Sequence, residues 1–225
     1  MCPETAYLYP DGDSYRLRWF TPTEEEDLCG HATLASAHVL WEEGHLSMEQ
    51  AARFQTRCGL LTARRRGDQI ELDFPAEPVR PMSDIPVPLR EAFGDCLCFL
   101  GANRMDHLME LATERDIRKF DPNHPALKSL PIQRGLIITS RSESDDFDII
   151  SRFFAPNHGI PEDPVTGSAH CALGPYWAKK LGKTELRAYQ ASQRGGSLNV
   201  RVEGDRVRLA GHAVTVWRGE LMEGL

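Results

Sequence analysis

Two short strings in this 225-residue chain combine residues that can move a proton with backbone that can hold an anion. Asp27-Leu28-Cys29-Gly30-His31-Ala32 and Glu162-Asp163-Pro164-Val165-Thr166-Gly167-Ser168-Ala169 each read as a polar loop running into the start of a helix. A helix N-terminus presents unpaired N–H groups and the positive end of its dipole, which suits a carboxylate. Gly30 and Gly167 let a ligand come close to that backbone. His31 falls in the first turn of its helix, where the positive end disfavours imidazolium, so a neutral ring able to give or take a proton is expected. Asp163, just ahead of the second helix, suits a helix cap or an acid–base carboxyl. Taken singly, each glycine need only permit a tight turn, and His31 need only be structural. Two copies of one pattern point instead to an anion site between two helix starts.

The elements that must position these residues also occur twice. Gly30, Ala32, Ala35, Arg57, Gly59, Leu61, Gly67, Asp68 and Leu72 recur at one constant offset as Gly167, Ala169, Ala172, Arg194, Gly196, Leu198, Gly204, Asp205 and Leu209. Upstream, Arg18-Trp19-Phe20-Thr21-Pro22 matches Arg152-Phe153-Phe154-Ala155-Pro156 after a short change in spacing. So many identities in one register, several at glycines, mark a duplication. Each copy predicts a strand (15–20; 147–154), a helix (31–43; 168–180) closing near Gly44 or Gly182, and two strands joined through Gly67-Asp68 or Gly204-Asp205. The first helix is apolar on most sides, as befits a helix wrapped by sheet. The expected fold is therefore α+β: two pseudo-symmetric halves, 1–85 and 86–225, each a curled, mainly antiparallel sheet around a central helix. The second half adds a strand from Cys96 to Gly101, a helical segment from Asp106 to Arg118 continuing at 125–130, and a strand from Gly135 to Ser140 that matches 3–9. Nothing in the first half matches the rest of that addition. The first half is thus expected to be incomplete, by roughly forty residues at its start, and the last strand, 213–220, to return to it.

Composition narrows the function classes. A net charge of −7 with scattered Lys and Arg gives no nucleic-acid signature. Arg64-Arg65-Arg66 reads as a solvated hairpin tip. No apolar run approaches a membrane span and no leader is visible, so a cytoplasmic location is expected. Cys2, Cys29, Cys58, Cys96, Cys98 and Cys171 lack zinc-type spacing and are expected to be reduced thiols. Cys29, His31, His170 and Cys171 are not expected to hold a metal, because adjacent helical residues point in different directions.

The strings Pro3-Glu4-Thr5-Ala6-Tyr7, Leu28-Cys29-Gly30-His31-Ala32-Thr33 and Glu162-Asp163-Pro164-Val165-Thr166-Gly167-Ser168-Ala169-His170, with the closing Ala213-Val214-Thr215-Val216-Trp217-Arg218-Gly219-Glu220, resemble the phenazine-biosynthesis PhzF-like family. The resemblance spans nearly the whole chain and implies the diaminopimelate-epimerase-like fold, with the active site between the halves. It implies that Glu4 abstracts and redelivers a proton, that His31 and Asp163 are its acid–base partners, and that Ser168 contacts substrate; Gly30, Ala32 and Gly167 at the helix starts are expected to bind substrate with it. It implies an isomerase acting on a small carboxylate by double-bond shift or epimerisation, a homodimer, and no cofactor. Related epimerases use two opposed thiols, but Cys29 is matched by Thr166, so the carboxylates would have to serve. The departure from the family is the short first half. It leaves a second reading: an inactive relative that binds a ligand or partner, marked by a Glu4 remote from Asp163.

Overall fold

The computed structural model describes residues 4–21, 23–132 and 134–220; Pro3 and Pro22 lie outside them. The first half runs β1 (Thr5–Asp11), β2 (Ser14–Phe20), β3 (Glu25–Glu26), α1 (Gly30–Glu42), β4 (Ala52–Thr56), β5 (Gly59–Arg66) and β6 (Gln69–Pro75). The second runs β7 (Arg80–Pro81), α2 (Val87–Phe93), β8 (Leu97–Ala102), β9 (Asp106–Leu111), α3 (Glu114–Lys119), β10 (Gly135–Arg141), β11 (Ile149–Phe154), α4 (Gly167–Leu181), β12 (Glu185–Gln190), β13 (Gly196–Glu203) and β14 (Arg206–Gly211). No helix among the described residues is long and apolar enough to cross a membrane. The described cysteines Cys29, Cys58, Cys96, Cys98 and Cys171 are free.

Side-chain alternation makes the strands. In β2, Leu17 and Trp19 are buried while Arg16 and Arg18 face out. β6 buries Ile70, Leu72 and Phe74 and turns Glu71 and Asp73 outward. The β5–β6 and β13–β14 hairpins each place a glycine with positive φ, Gly67 at 63° and Gly204 at 62°, first in a two-residue turn. Helices α1 and α4 bury apolar or small residues on several sides, as wrapped helices must, and share one core with both sheets' inner faces.

The strands form one continuous path, β1-β2-β4-β5-β6-β14-β13-β12-β11-β10-β9-β8-β7, with β3 beside β2. The repeat is visible in it. β1, β2, β4, β5 and β6 match β10, β11, β12, β13 and β14, and both copies contain a parallel step, β2–β4 and β11–β12. Ion pairs repeat as well: Arg18 grips Glu25 as Arg152 grips Glu162, and each guanidinium lies just under 5 Å from a phenylalanine ring, Phe20 or Phe154. The halves join where β6 meets β14, with Leu72 directly opposite Leu209. Those two residues are repeat equivalents, so the pseudo-twofold axis passes between them.

Two sequence expectations are corrected. Residues 106–111 form strand β9, not helix; helix begins at 114 and runs to 119, and Pro125–Ser129 form the expected second helical piece as a 3-10 turn. All six residues of β9 are buried between β8 and β10. Its Asp106 and Glu110 are satisfied by Arg134, Lys180 and Tyr176, long-range partners that no local pattern reveals. Residues 213–220 form no strand. They do return to the first half, where Thr215 meets His38 and Arg218 pairs with Glu43 at 2.6 Å, but no strand edge pairs with them among the described residues. Val214, Val216 and Trp217 consequently stay exposed.

The axis also brings the helix starts together. A Cβ on Gly167 would lie 2.8 Å from the Gly30 Cα, and one on Gly30 would lie 2.7 Å from the Gly167 Cα. Backbone on backbone cannot yield to such a contact. Gly167→Ala is therefore expected to cost about 1–3 kcal/mol, the usual scale of overpacking, in urea unfolding. A loss within experimental error would contradict the close approach.

Candidate active site

Cys29 is the N-cap of α1 and Thr166 the N-cap of α4; both are extended and neither caps its helix with its side chain. The first bonds within the helices are Thr33 N–H to Cys29 C=O and His170 N–H to Thr166 C=O. The amides of residues 30–32 and 167–169 therefore have no partner within their helices and gather around the Gly30–Gly167 contact. Gln190, fully buried, secures the second loop: its Oε1 accepts from Thr166 N–H at 2.8 Å and its Nε2 donates to Asp163 C=O at 2.8 Å. Thr166 Oγ1 donates to Asp163 Oδ2 at 2.6 Å.

A narrow cleft opens at this junction, lined by Glu4, Gly30, His31, Asp163, Gly167 and Ser168 among others. The structure thus gathers every residue expected in the site except Ala32, which borders an apolar groove behind Glu4, His31 and Asp163. Leu28, Phe153, Ala155 and Ile160 wall the cleft, and Glu26, Arg134 and His158 also reach it. Glu4 stands just before β1, and its Oε2 lies 3.0 Å from His31 Nε2. Two buried carboxylate oxygens, Glu4 Oε2 and Asp163 Oδ1, make no aligned hydrogen bond among the described residues.

Charge distributes unevenly among these groups. Burial alone would lower the His31 pKa, but its contacts with the Cys29 sulfur and the Glu4 carboxylate, with Asp163 nearby, raise it. Burial also raises the Cys29 thiol. The thiol therefore stays neutral, and the Glu4 carboxylate, 3.0 Å from the ring, holds the imidazolium. This corrects the neutral imidazole expected from the helix terminus: a full negative charge at 3.0 Å outweighs a half-charge dipole end. Burial likewise raises Asp163, with Glu4 adding to it, which favours its protonated form beside the Glu4–His31 pair. Cys29 faces Thr166 across the junction, so opposed thiols are absent from this position. The Glu4, Cys29 and His31 donor atoms, and those of Glu24, Glu26 and His158, each lie within 4.8 Å of one another, spacing that could hold a cation.

Sequence reasoning misses Arg134 and Glu26. Glu26 is recoverable from the letters, since the repeat register places it opposite Asp163. Arg134 comes immediately before the strand that matches the one after Glu4.

Comparison with known proteins shows the family. The chain matches the family described as phenazine biosynthesis-like protein over residues 1–219. It belongs to that family. An uncharacterized isomerase of Halalkalibacterium halodurans is 52% identical over 219 residues, covering 97% of this chain and 82% of the relative. The crystal structure of a PhzF-family protein from Enterococcus faecalis superposes with a TM-score of 0.83 at 40% identity, covering 93% of this chain and 79% of that one. A Pseudomonas aeruginosa protein titled a predicted epimerase shares the fold, with a TM-score of 0.71 at 22% identity over 99% of this chain and 85% of that one. The fold is that of the PhzF and epimerase-like proteins, and these relatives support an isomerase role.

Two histidines should titrate abnormally. At pH 8, ¹⁵N NMR should show His31 with both ring nitrogens protonated; a ring that loses its proton near the ordinary histidine pKa would contradict the Glu4 pairing. His170, in the first turns of α4, is wholly buried, with Nδ1 2.7 Å from Thr166 C=O and Nε2 without a hydrogen-bond partner among the described residues. Burial pushes its pKa down to about 4. Its unfolded form therefore binds the proton first, and its contribution to stability, complete above pH ~6.5, is lost as pH falls toward 4. The loss is about 3 kcal/mol by linkage. Urea unfolding across that range should show the decline, and His170→Leu should flatten it.

Proposed function

We propose that this protein is a cofactor-independent isomerase that relocates a proton on a small carboxylate-bearing metabolite, by double-bond shift or epimerisation. The observation that carries the reading is the pair of buried carboxylate oxygens, Glu4 Oε2 and Asp163 Oδ1, supplied by opposite halves to one crevice and both without an aligned hydrogen bond among the described residues. Glu4 takes the proton from a carbon next to a carbonyl or unsaturated group. The electron pair left behind moves into that group. The His31 imidazolium beside it and the free amides at both helix starts oppose the negative charge that develops. The proton returns from Glu4 at another carbon, or from the Asp163 carboxyl at the opposite face. Phe153, Ile160 and Leu28 keep the reacting carbon away from water. The protein acts in the cytoplasm in this reading.

Glu4 lies beside His31 and shares the cleft with Asp163, which supports the enzyme over a ligand-binding relative that lacks catalysis. The experiment is turnover in D₂O of a panel of small cyclic and unsaturated carboxylates, followed by mass spectrometry. Wild-type protein should insert deuterium at a single carbon of an accepted compound. Glu4→Gln and Asp163→Asn should each slow insertion by about 10²–10⁴-fold, the usual share of a general acid or base. Conversion of a substrate with no exchange at any carbon, or wild-type exchange in Glu4→Gln, would contradict the assignment.

A further inference from the structure

Three donor atoms of different chemistry converge at the start of α1. Glu4 Oε2 lies 3.0 Å from His31 Nε2, and the Cys29 sulfur lies 3.8 Å from that same nitrogen. A carboxylate oxygen, the sulfur and a ring nitrogen all fall within 4.8 Å of one another. Cys29 reaches the ring because it is the N-cap, with φ −133° and ψ 110°. Residues two apart in extended backbone share a side, whereas successive helical residues diverge. Around a tetrahedral zinc ion, nitrogen and oxygen ligands stand about 3.4 Å apart, and nitrogen and sulfur about 3.6 Å. Small side-chain rotations bring this set to that spacing.

Burial supplies a second, independent observation. The Glu4 side chain is 9% exposed, and its Oε2 makes no aligned hydrogen bond among the described residues. A buried carboxylate oxygen set beside a thiol and an imidazole, and otherwise unsatisfied, points to a ligand that bridges all three. Sulfur and imidazole select zinc-like ions over magnesium or calcium, which take oxygen. The opposite half offers no matching set. In β1–β2, Phe20 faces Thr5; in β10–β11, the equivalent Phe154 faces Leu136, so Glu4 is matched by Gly135, which has no side chain. Thr166 and Ser168 stand in place of Cys29 and His31. Arg134, held by Asp106, donates to Ser168 Oγ at 3.1 Å and puts a positive charge there already.

We propose that Glu4, Cys29 and His31 form a site for one zinc-like divalent cation, and that filling it switches the base off. The Cys29 thiol and the His31 ring each release one proton to solvent, and the cation takes their electron pairs together with one from Glu4. A fourth position is left to water or to Asp163, whose Oδ1 lines the same cleft and also lacks an aligned partner among the described residues. The electron pair that accepts the substrate proton is then engaged, and exchange stops. The switch rests on the isomerase reading; the cation site does not.

The probe is Co²⁺, a spectroscopic stand-in for zinc, titrated into the full chain carrying Cys2→Ser, Cys96→Ser and Cys98→Ser. Those changes leave Cys29, Cys58 and Cys171 as the only thiols. One equivalent should give a thiolate-to-cobalt charge-transfer band in the near ultraviolet, with the strong visible bands of a four-coordinate ion, and one equivalent of Zn²⁺ should erase both. Cys29→Ser should remove the charge-transfer band. Glu4→Gln, which keeps the side-chain volume, should weaken cobalt binding by more than about 100-fold, beyond the loss typical of an outer-sphere partner. In the D₂O assay, Zn²⁺ should suppress wild-type exchange in proportion to occupancy, a chelator should restore it, and Mg²⁺ should do nothing. Three results would each overturn the proposal. They are cobalt binding without the sulfur band, which would place the ion on Glu24, Glu26 and His158; a band that survives Cys29→Ser; and exchange that persists with the site filled. A chain that exchanges nothing even in chelator, yet gives the cobalt spectrum, would sink the isomerase reading and leave the cation site standing.

Discussion

One contact governs this molecule: Gly30 against Gly167, backbone to backbone, on the pseudo-twofold axis. A side chain at either position would force the two helix starts apart, since each Cβ would fall inside 3 Å of the opposite Cα. The same axis passes between Leu72 and Leu209, where β6 and β14 join the halves into one sheet path. Equivalent residues meet only on a symmetry axis, so these two meetings define it. Groups beside that axis then share one crevice: two sets of unpaired amides, the loop carboxylates Glu26 and Asp163, Glu4, and Arg134, which stands one residue ahead of the counterpart of Glu4.

The two halves are symmetric in position and asymmetric in chemistry. Both copies keep the guanidinium–carboxylate clamp that holds the loop before the helix, Arg18 with Glu25 and Arg152 with Glu162. Both keep a glycine at the helix start. They differ at the cleft: His31 against Ser168, Cys29 against Thr166, Glu4 against the space left by Gly135. The retained features are those that set backbone geometry, and the divergent ones set charge. A carboxylate paired with an imidazolium suits proton transfer, while the other half sets a guanidinium against a hydroxyl. A duplicated scaffold with identical halves would present the same groups twice; this one presents unlike groups on the two sides of its cleft.

Much of this arrangement is legible in the letters. The glycine-led repeat yields the two helices, the hairpins and the shared crevice, because glycine at a close approach and an apolar helix inside a sheet leave local signatures. Asp163 and His31 are legible as candidates because they adjoin those glycines. The strand β9 is not, because its buried polar residues are neutralised from far along the chain, by Arg134, Lys180 and Tyr176. Arg134 is hidden for the same reason: its partner Asp106 and its target Ser168 lie on separate elements, and the spacing ahead of the repeat differs between copies. The protonation of His31 departs from expectation because the helix dipole is a local rule, whereas Glu4 arrives from a different strand. The stretch 213–220 has strand-like alternation, yet a strand needs an edge to pair with, and none adjoins it among the described residues.

In a site built this way, carboxyl groups from the two halves must sense each other across one crevice. The direct measurement is a ¹³C NMR titration of the Asp163 carboxyl in wild type and in Glu4→Gln. Burial with Glu4 nearby predicts that Asp163 holds its proton above the usual carboxylate range, and that removing the Glu4 charge lowers its midpoint. An Asp163 that titrates in the ordinary range, unmoved by the substitution, would contradict the shared site.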